Sequence, residues 1–315
     1  MLTMLDRIRW RLMDVVSDAI SAVRAGRPSS NRLRVTGSWC VRLAPYEGAG
    51  FHVVLGGSCR LLTDGGGEPV ALGPGDVVLL PHGTGHLLAD GSRRPVDVRR
   101  AVPFEEVRDT GAVLPGGGPE VELLCGKYRL DRSRTHPLLA ELPDLVLLPH
   151  RAGENAELRS AVDLLCRELA GARPGGSLAL PSLLDLLLVY MVRAWTAGAH
   201  TGSWPAALSD PATAAALAAL HAEPAAPWTT GLLAARAGVS RATLARRFTS
   251  LVGRPPMAYL TWWRLTLAAT RLRDSDAPLA TVARETGYGS PYALSHAFSR
   301  EFGMTPGRYR GLRAS

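Results

Sequence analysis

At 315 residues and 46% hydrophobic content, the chain is too apolar to be largely disordered and long enough for two packed domains. Its net charge of +8 favours an acidic partner, and every one of its 36 basic side chains except Lys127 is arginine. The surplus is local: from Trp228 to Ser315 thirteen arginines stand against four acidic residues, a net +9 that leaves −1 for everything before.

The opening MLTMLDRIRWRLMDVVSDAISAVRAG sets Leu2, Leu5, Ile8, Leu12, Val15, Val16, Ile20 and Val23 at three- and four-residue intervals, the pattern of an amphipathic helix over residues 2–25. Arginines and aspartates interrupt every apolar run in it, so it offers neither a signal sequence nor a membrane span, and a cytoplasmic protein is expected. From Leu33 to about Leu148 short apolar runs alternate with Gly, Pro and Asp, as in GFHVVLGGSCRLLT and PVALGPGDVVLLP. This is the signature of an antiparallel barrel or sandwich, with GAVLPGGGPE as a flexible loop. Four cysteines, Cys40, Cys59, Cys125 and Cys166, lack CxxC spacing, which argues against a structural zinc module and a disulfide framework.

Helical spacing returns in ELRSAVDLLCRELA. The next segment, LPSLLDLLLVYMVRAWTAG, is apolar on nearly every face, but Asp185 and Arg193 favour a helix buried between domains or at a subunit interface over a membrane helix. The Ala/Gly/Pro-rich AGAHTGSWPAALSDPATAAAL reads as a junction, with the boundary between Ala197 and Asp210.

The last third repeats one grammar. In WTTGLLAARAGVSRATLARRFTSLVG a short helix carries Leu232, Leu233 and Ala235; Gly238 permits a tight turn and Ser240 caps a second helix on which Leu244 and Phe248 face inward. Arg241, Ala242, Thr243, Arg246 and Arg247 are left toward solvent or DNA, where arginine makes paired bonds to guanine edges or holds phosphates. The same grammar recurs with Leu279, Val282 and Ala283 building the first helix, Gly287 the turn, Ser290 the cap, and Leu294 with Phe298 the buried stripe, the second helices starting 50 residues apart at 241 and 291. Ser290, Tyr292, Ser295, His296 and Arg300 are the matching candidate DNA contacts. Between the units, Pro255 and Pro256 open a helix of about 18 residues, a rod of about 27 Å, commensurate with the ~34 Å between successive major-groove faces on one side of DNA.

The paired units and GYGSPYALSHAFSREFGMTPGRYR resemble the DNA-binding domain of AraC/XylS-type transcription regulators over residues 212–312. Phe298, Glu301, Phe302, Gly303, Thr305, Pro306, Tyr309 and Arg310 match the family pattern, while Ser299 stands where a basic residue is usual. Upstream, Gly75, Pro81, Gly83 and His86 keep the spacing G-x5-P-x-G-x2-H, which resembles the second cupin motif. Of the first motif only Phe51-His52-Val53-Val54 remains, so the usual four-ligand metal set is incomplete. The arrangement over residues 5–150 is similar to the cupin-type sensor of one AraC-like subfamily.

These readings give an α+β chain: a cupin-like β-barrel with flanking helices, then an all-α domain of two helix-turn-helix units joined by a long helix. Residues 1–150 form the sensor with its N-terminal helix, 151–205 a helical connector suited to dimer contacts, and 206–315 the DNA-binding domain. The resemblance implies a cytoplasmic regulator that binds double-stranded DNA, works with RNA polymerase as an activator or a repressor, responds to an effector and has no membrane partner. Three chemistries compete for the barrel. His52, His86 and Cys125, with His82 as an alternate, suit a divalent ion such as zinc. An apolar interior with two histidines suits a small molecule. Cys125 beside Lys127 suits a thiolate that senses oxidants. Pro81, Gly83 and His86 equally suit a plain barrel turn with a hydrogen-bonded core histidine. A metal-dependent cupin enzyme fused to a DNA reader is the alternative function; the missing first-motif ligands and the attached reader weigh against it.

Overall fold

The computed structural model describes residues 15–24, 26–92, 96, 98–107, 119–130, 136–151, 153–171, 174–198 and 203–311. Residues 1–14 of the expected N-terminal helix and most of GAVLPGGGPE lie outside the described residues. The chain forms two compact units that are not contiguous in sequence: Val23–Thr135 with Leu139–Gly198, and Met1–Ala22 with His136–Leu138 and Ala199–Ser315.

Among the described residues the first unit holds ten strands: β1 (Ser29–Val35), β2 (Cys40–Leu43), β3 (Ala49–Gly56), β4 (Cys59–Thr63), β5 (Val70–Leu72), β6 (Val77–Leu80), β7 (His86–Asp90), β8 (Val102–Pro103), β9 (Val121–Tyr128) and β10 (Val146–Leu148). They build two five-stranded sheets, ordered β1-β9-β3-β6-β10 and β5-β4-β7-β2-β8. All neighbours pair antiparallel except β2 and β8. Both sheets turn alternate residues into one core, with Leu33, Val54, Val78 and Leu123 from the first meeting Val41, Leu61, Leu72 and Leu88 from the second. Burying so many aliphatic side chains between two pleated faces, at roughly 25 cal/mol per Å² of apolar surface, drives this closure.

The turn before β7 shows why the glycine in the Pro81-x-Gly83 spacing is needed. Gly83 has φ +58°, and an added Cβ would sit 2.2 Å from the Tyr46 carbonyl oxygen, so any side chain there displaces backbone. Asp76 pins the neighbouring corner, one carboxylate oxygen accepting from the Gly73 amide at 2.8 Å and the other from the His150 amide at 2.7 Å.

Helices in chain order are α1 (Val15–Val23), α2 (Phe104–Val107), α3 (Pro137–Ala140), α4 (Ala156–Leu169) and α5 (Gly176–Gly198), followed by α6 (Ser203–Ser209), α7 (Pro211–Ala222), α8 (Thr230–Arg236), α9 (Arg241–Val252), α10 (Pro256–Asp274), α11 (Leu279–Glu285), α12 (Pro291–Phe302) and α13 (Pro306–Gly311). The 23-residue α5 is long and apolar enough to cross a membrane by length and composition. Leu184, Leu187, Leu188, Met191 and Val192 bury one of its stripes, and its Leu184 carbonyl accepts a 2.6 Å bond from the Tyr128 hydroxyl on β9. It is not buried all round as its composition suggests: Leu178 is 76% exposed and Leu186 38%.

In the second unit, the stretch read as a junction is mostly helix. Asp210 accepts from the Thr213 amide at 2.9 Å, Pro211 occupies the first turn, and alanine, the residue with the best helix propensity, carries α7 onward. The pairs α8–α9 and α11–α12 are the two helix-turn-helix units, turning at Gly238 (φ +67°) and Gly287 (φ +77°). On α8 the buried pair is Leu233 and Ala234, while Leu232 is 53% exposed and Ala235 is exposed too. The helix is only two turns long, and the narrow contact it makes admits adjacent positions rather than a wider stripe. The second unit's core gathers Leu265, Ala268, Ala269 and Leu272 of α10 with Val282, Ala283, Leu294 and Phe298.

Candidate nucleic-acid interface and barrel pocket

Ser240 and Ser290 cap the two reading helices in the same way. The Ser240 hydroxyl accepts from the Thr243 amide and the Ser290 hydroxyl from the Ala293 amide, each at 3.1 Å. Capping satisfies one of the four free amides at each N-terminus, and Leu244/Phe248 and Leu294/Phe298, all fully buried, fix the rotation of each helix about its axis. That rotation decides what faces out. Arg241, Ala242, Arg246 and Arg247 are exposed on α9, and Tyr292, His296 and Arg300 on α12, with Tyr292 at 80%. Thr243 and Ser295 are half-buried.

Not all of these groups are equally available. Arg247 pairs with Asp210 at 3.4 Å, while Thr243 and Ser240 share a 2.9 Å hydroxyl contact. Arg264, a half-buried arginine of α10 not singled out from sequence, donates to the carbonyls of Pro224 at 2.7 Å and Ala226 at 2.8 Å. It braces the loop ahead of α8, and burial holds its pKa below the usual arginine value. Its role is scaffolding, and only the pairing partner, not the sequence pattern, reveals it.

The barrel places its three candidate residues on one pocket of about 70 Å³, whose wall also includes Leu43, Phe104 and Lys127. His52, on β3, stands opposite Cys125 of β9 in register, and His86 opens β7. The two imidazole Nε2 atoms are 2.7 Å apart and hydrogen-bonded, and His86 Nδ1 donates to the Thr84 carbonyl at 2.9 Å. Burial, with the neighbouring His86, holds the His52 pKa well below the usual imidazole value; burial lowers His86 too. Both rings are neutral at neutral pH.

The donor set expected for zinc does not assemble. Each His Nε2 is turned to the other, the alternate His82 bonds the Leu142 carbonyl at 2.7 Å through its own Nε2, and no group of three His, Cys, Asp or Glu among the described residues could hold a metal ion. Cys125 is 3% exposed, and burial, with Cys59 beside it, pushes its thiol up, the direction opposite to the thiolate expected beside Lys127. Sequence shows neither which way a ring nitrogen points nor how dry a thiol is.

A third constellation was invisible in the sequence. In the helical unit the Tyr259 hydroxyl lies 2.7 Å from His221 Nε2 and 2.9 Å from His136 Nε2, and Asp18 lies 2.8 Å from His221 Nδ1. All three ring-bearing residues are fully buried.

A cupin family model matches residues 14–197 and a helix-turn-helix domain model residues 233–311. An AraC-like transcription regulator of Streptomyces lividans is 37% identical over 95% of this chain and 98% of its own length. The chain is an AraC-like transcription regulator. The HTH-type transcriptional regulator AlkR of Acinetobacter baylyi is 29% identical to it over 95% of this chain and 99% of its own. The DNA-binding domain of AdpA, solved in complex with a target DNA, is 37% identical over 33% of this chain and 92% of that one, with a TM-score of 0.31. The regulator thus carries a cupin N-terminal domain and an AraC-type helix-turn-helix DNA-binding domain, and its relatives are named as regulators rather than enzymes.

Proposed function

We propose that this regulator is a cytoplasmic, non-catalytic activator whose barrel pocket takes up an effector and whose α9 and α12 read neighbouring major grooves of one operator. The observation that carries the DNA reading is the twofold repeat of a capped helix with its Leu/Phe stripe locked inward and its polar face exposed. The 19 residues of α10 between the units make a rod of about 28 Å. On α9, Arg241 and Arg246 are the base readers, with Ala242 and Thr243 lining the approach and Arg247 on phosphate. On α12, Tyr292 and His296 read bases while Ser290, Ser295 and Arg300 hold the backbone. RNA polymerase is the partner that an operator-bound activator engages. A second copy of the chain would cover the exposed leucines of α5, and two copies would occupy paired operators.

Coupling requires an effector that binds two arrangements of the chain unequally. In the pocket His52 and His86 orient that effector; zinc is the competing occupant and would take the place of the hydrogen bond between the two Nε2 atoms. Selection of bound sequences from a random DNA pool, followed by footprinting, tests the reading. A two-part site protected over two successive major grooves supports it. Protection of a single groove, or binding with no sequence preference, removes it. Oxygen or substrate consumption by the metal-loaded barrel would restore the enzymatic alternative.

A further inference from the structure

One side chain on the rod between the reading units touches both of them. Arg264 stands midway along α10, and its guanidinium holds the loop ahead of α8 by two bonds, Nε donating to the Pro224 carbonyl at 2.7 Å and Nη2 to the Ala226 carbonyl at 2.8 Å. The same group lies against the turn of the second unit. A Cβ added at Gly287 would sit 2.9 Å from Arg264 Cζ and 2.8 Å from the Ala225 Cα. Gly287 thus meets two requirements at once: a φ of +77°, and a seat on the guanidinium and the first unit's loop that leaves no room for a side chain.

Both contacts lead to a reading helix. The loop is itself tied: the Ala226 amide donates to the Glu223 carbonyl at 3.1 Å, the Trp228 amide to Ala226 at 2.8 Å and the Trp228 indole to Glu223 at 2.8 Å. Thr229 then caps α8, which packs on α9. On the other side Gly287 stands three residues before Ser290, the cap of α12. The rod shares a core with α11 and α12 through Leu265, Ala268 and Leu272, and meets α9 through Tyr259 against Phe248. Arg264 lies between those two contacts, where the loop of one unit meets the turn of the other, so movement there changes the angle between α9 and α12. An arginine suits the task, because its planar fork holds two carbonyls in one geometry whereas a lysine ammonium is a mobile point charge. We propose that Arg264 is a positioning residue: it locks the first unit's loop to the second unit's turn and so sets the half-site spacing that α9 and α12 accept together. The proposal rests on the two-groove reading above and names what fixes the interval.

The test titrates the full chain with the operator recovered by selection, its spacer between half-elements kept or changed by one base pair, which moves one groove about 3.4 Å along and about 34° around the other. Linked heads lose joint binding when geometry forbids both from engaging, so the parent should bind the altered spacers about tenfold or more weakly than the native one. Arg264→Lys keeps the charge and loses the fork. It should cut that ratio to about threefold or less while binding duplexes with either half-element alone as the parent does. A variant that keeps the parent's ratio, whatever its overall affinity, or one weakened on a half-element alone, overturns the proposal and leaves the two-groove reading standing. Where the variant does not fold, hydrogen exchange in the unaltered chain decides: a duplex carrying only the α12 half-element should slow exchange of the Trp228 amide in the other unit's loop, and unchanged exchange there overturns the proposal. A parent indifferent to the spacer removes the two-groove reading and the proposal with it.

Discussion

The Tyr259 hydroxyl donates a 2.7 Å hydrogen bond to His221 Nε2, joining α10 to α7. The direction follows from the neighbours. The Leu138 amide donates to His136 Nδ1 at 3.1 Å, so a neutral His136 carries its proton on Nε2 and donates it to Tyr259. Asp18 accepts from His221 Nδ1, and the Tyr259 hydroxyl, which already accepts from His136, gives its one proton to His221 Nε2. Three segments far apart in sequence, at residues 18, 136 and 221, converge on the first turn of α10.

Tyr259→Phe keeps the ring and removes both bonds, stranding the His136 donor and the His221 acceptor in a fully buried site. The helical unit should lose about 1–3 kcal/mol per stranded group, with little change in the packing of Phe248, whose ring centroid lies 5.7 Å from that of Tyr259. Urea unfolding followed by tryptophan fluorescence reads this directly, since Trp204, Trp262 and Trp263 flank the cluster. A variant as stable as the parent would show that the chain contributes nothing net.

Acid should weaken the fold earlier than carboxylate titration would. Burial holds His52 and His136 well below the ordinary value of 6.5, and His86 is lowered as well. Below pH 6.5 the unfolded chain takes up protons that the folded chain refuses, so stability falls as pH drops from about 6.5 toward the folded pKa values, and these groups contribute no slope above it. Each histidine adds at most about 1.4 kcal/mol per pH unit. Unfolding free energies measured from pH 7.5 to 5.5 should be level in the upper half and decline in the lower. A level profile throughout would contradict the buried neutral state.

The reading helices were legible because their requirements are local: a glycine for a positive φ, a serine for a free amide, and Leu and Phe one helical turn apart. Residues 197–217, whose composition reads as a junction, are mostly helix because alanine carries helix propensity without the amphipathic contrast that periodicity needs. The barrel's strands are legible in the spacing of short apolar runs, and the Pro81–Gly83 corner in the resemblance to the second cupin motif. The fate of His52, His86 and Cys125 depended on ring orientation and dryness, which arise only when two sheets close. The Asp18–His221 contact spans 203 positions, and nothing near either residue signals the other.

The cysteines should respond to reagents in the reverse of the order expected from charge. Cys125 and Cys59 are buried, with the Cys59 thiol pushed up to about 12 and Cys125 higher still, whereas Cys166 is partly exposed. In the native regulator a soluble disulfide reagent should modify Cys166 first and leave Cys125 until unfolding, as mass spectrometry of digested samples would reveal. Rapid native labelling of Cys125 would restore it as a redox candidate.

DNA contacts should divide by how free each arginine is. Arg241 and Arg246 have no ion-pair partner among the described residues that would hold them off a base edge, and either one making a paired contact to guanine should cost about 1–3 kcal/mol of specific binding when changed to alanine. Arg247 already pairs with Asp210, so part of what it gains on phosphate is offset by breaking that contact. Arg247→Ala should therefore weaken specific and non-specific binding together and reduce the salt dependence by about one counterion, without relaxing sequence preference. Titrations of operator and scrambled duplexes at several salt concentrations separate the two behaviours. Equal losses on both duplexes for Arg241→Ala and Arg246→Ala would move base reading from α9 to α12, where Tyr292 and His296 remain to supply it.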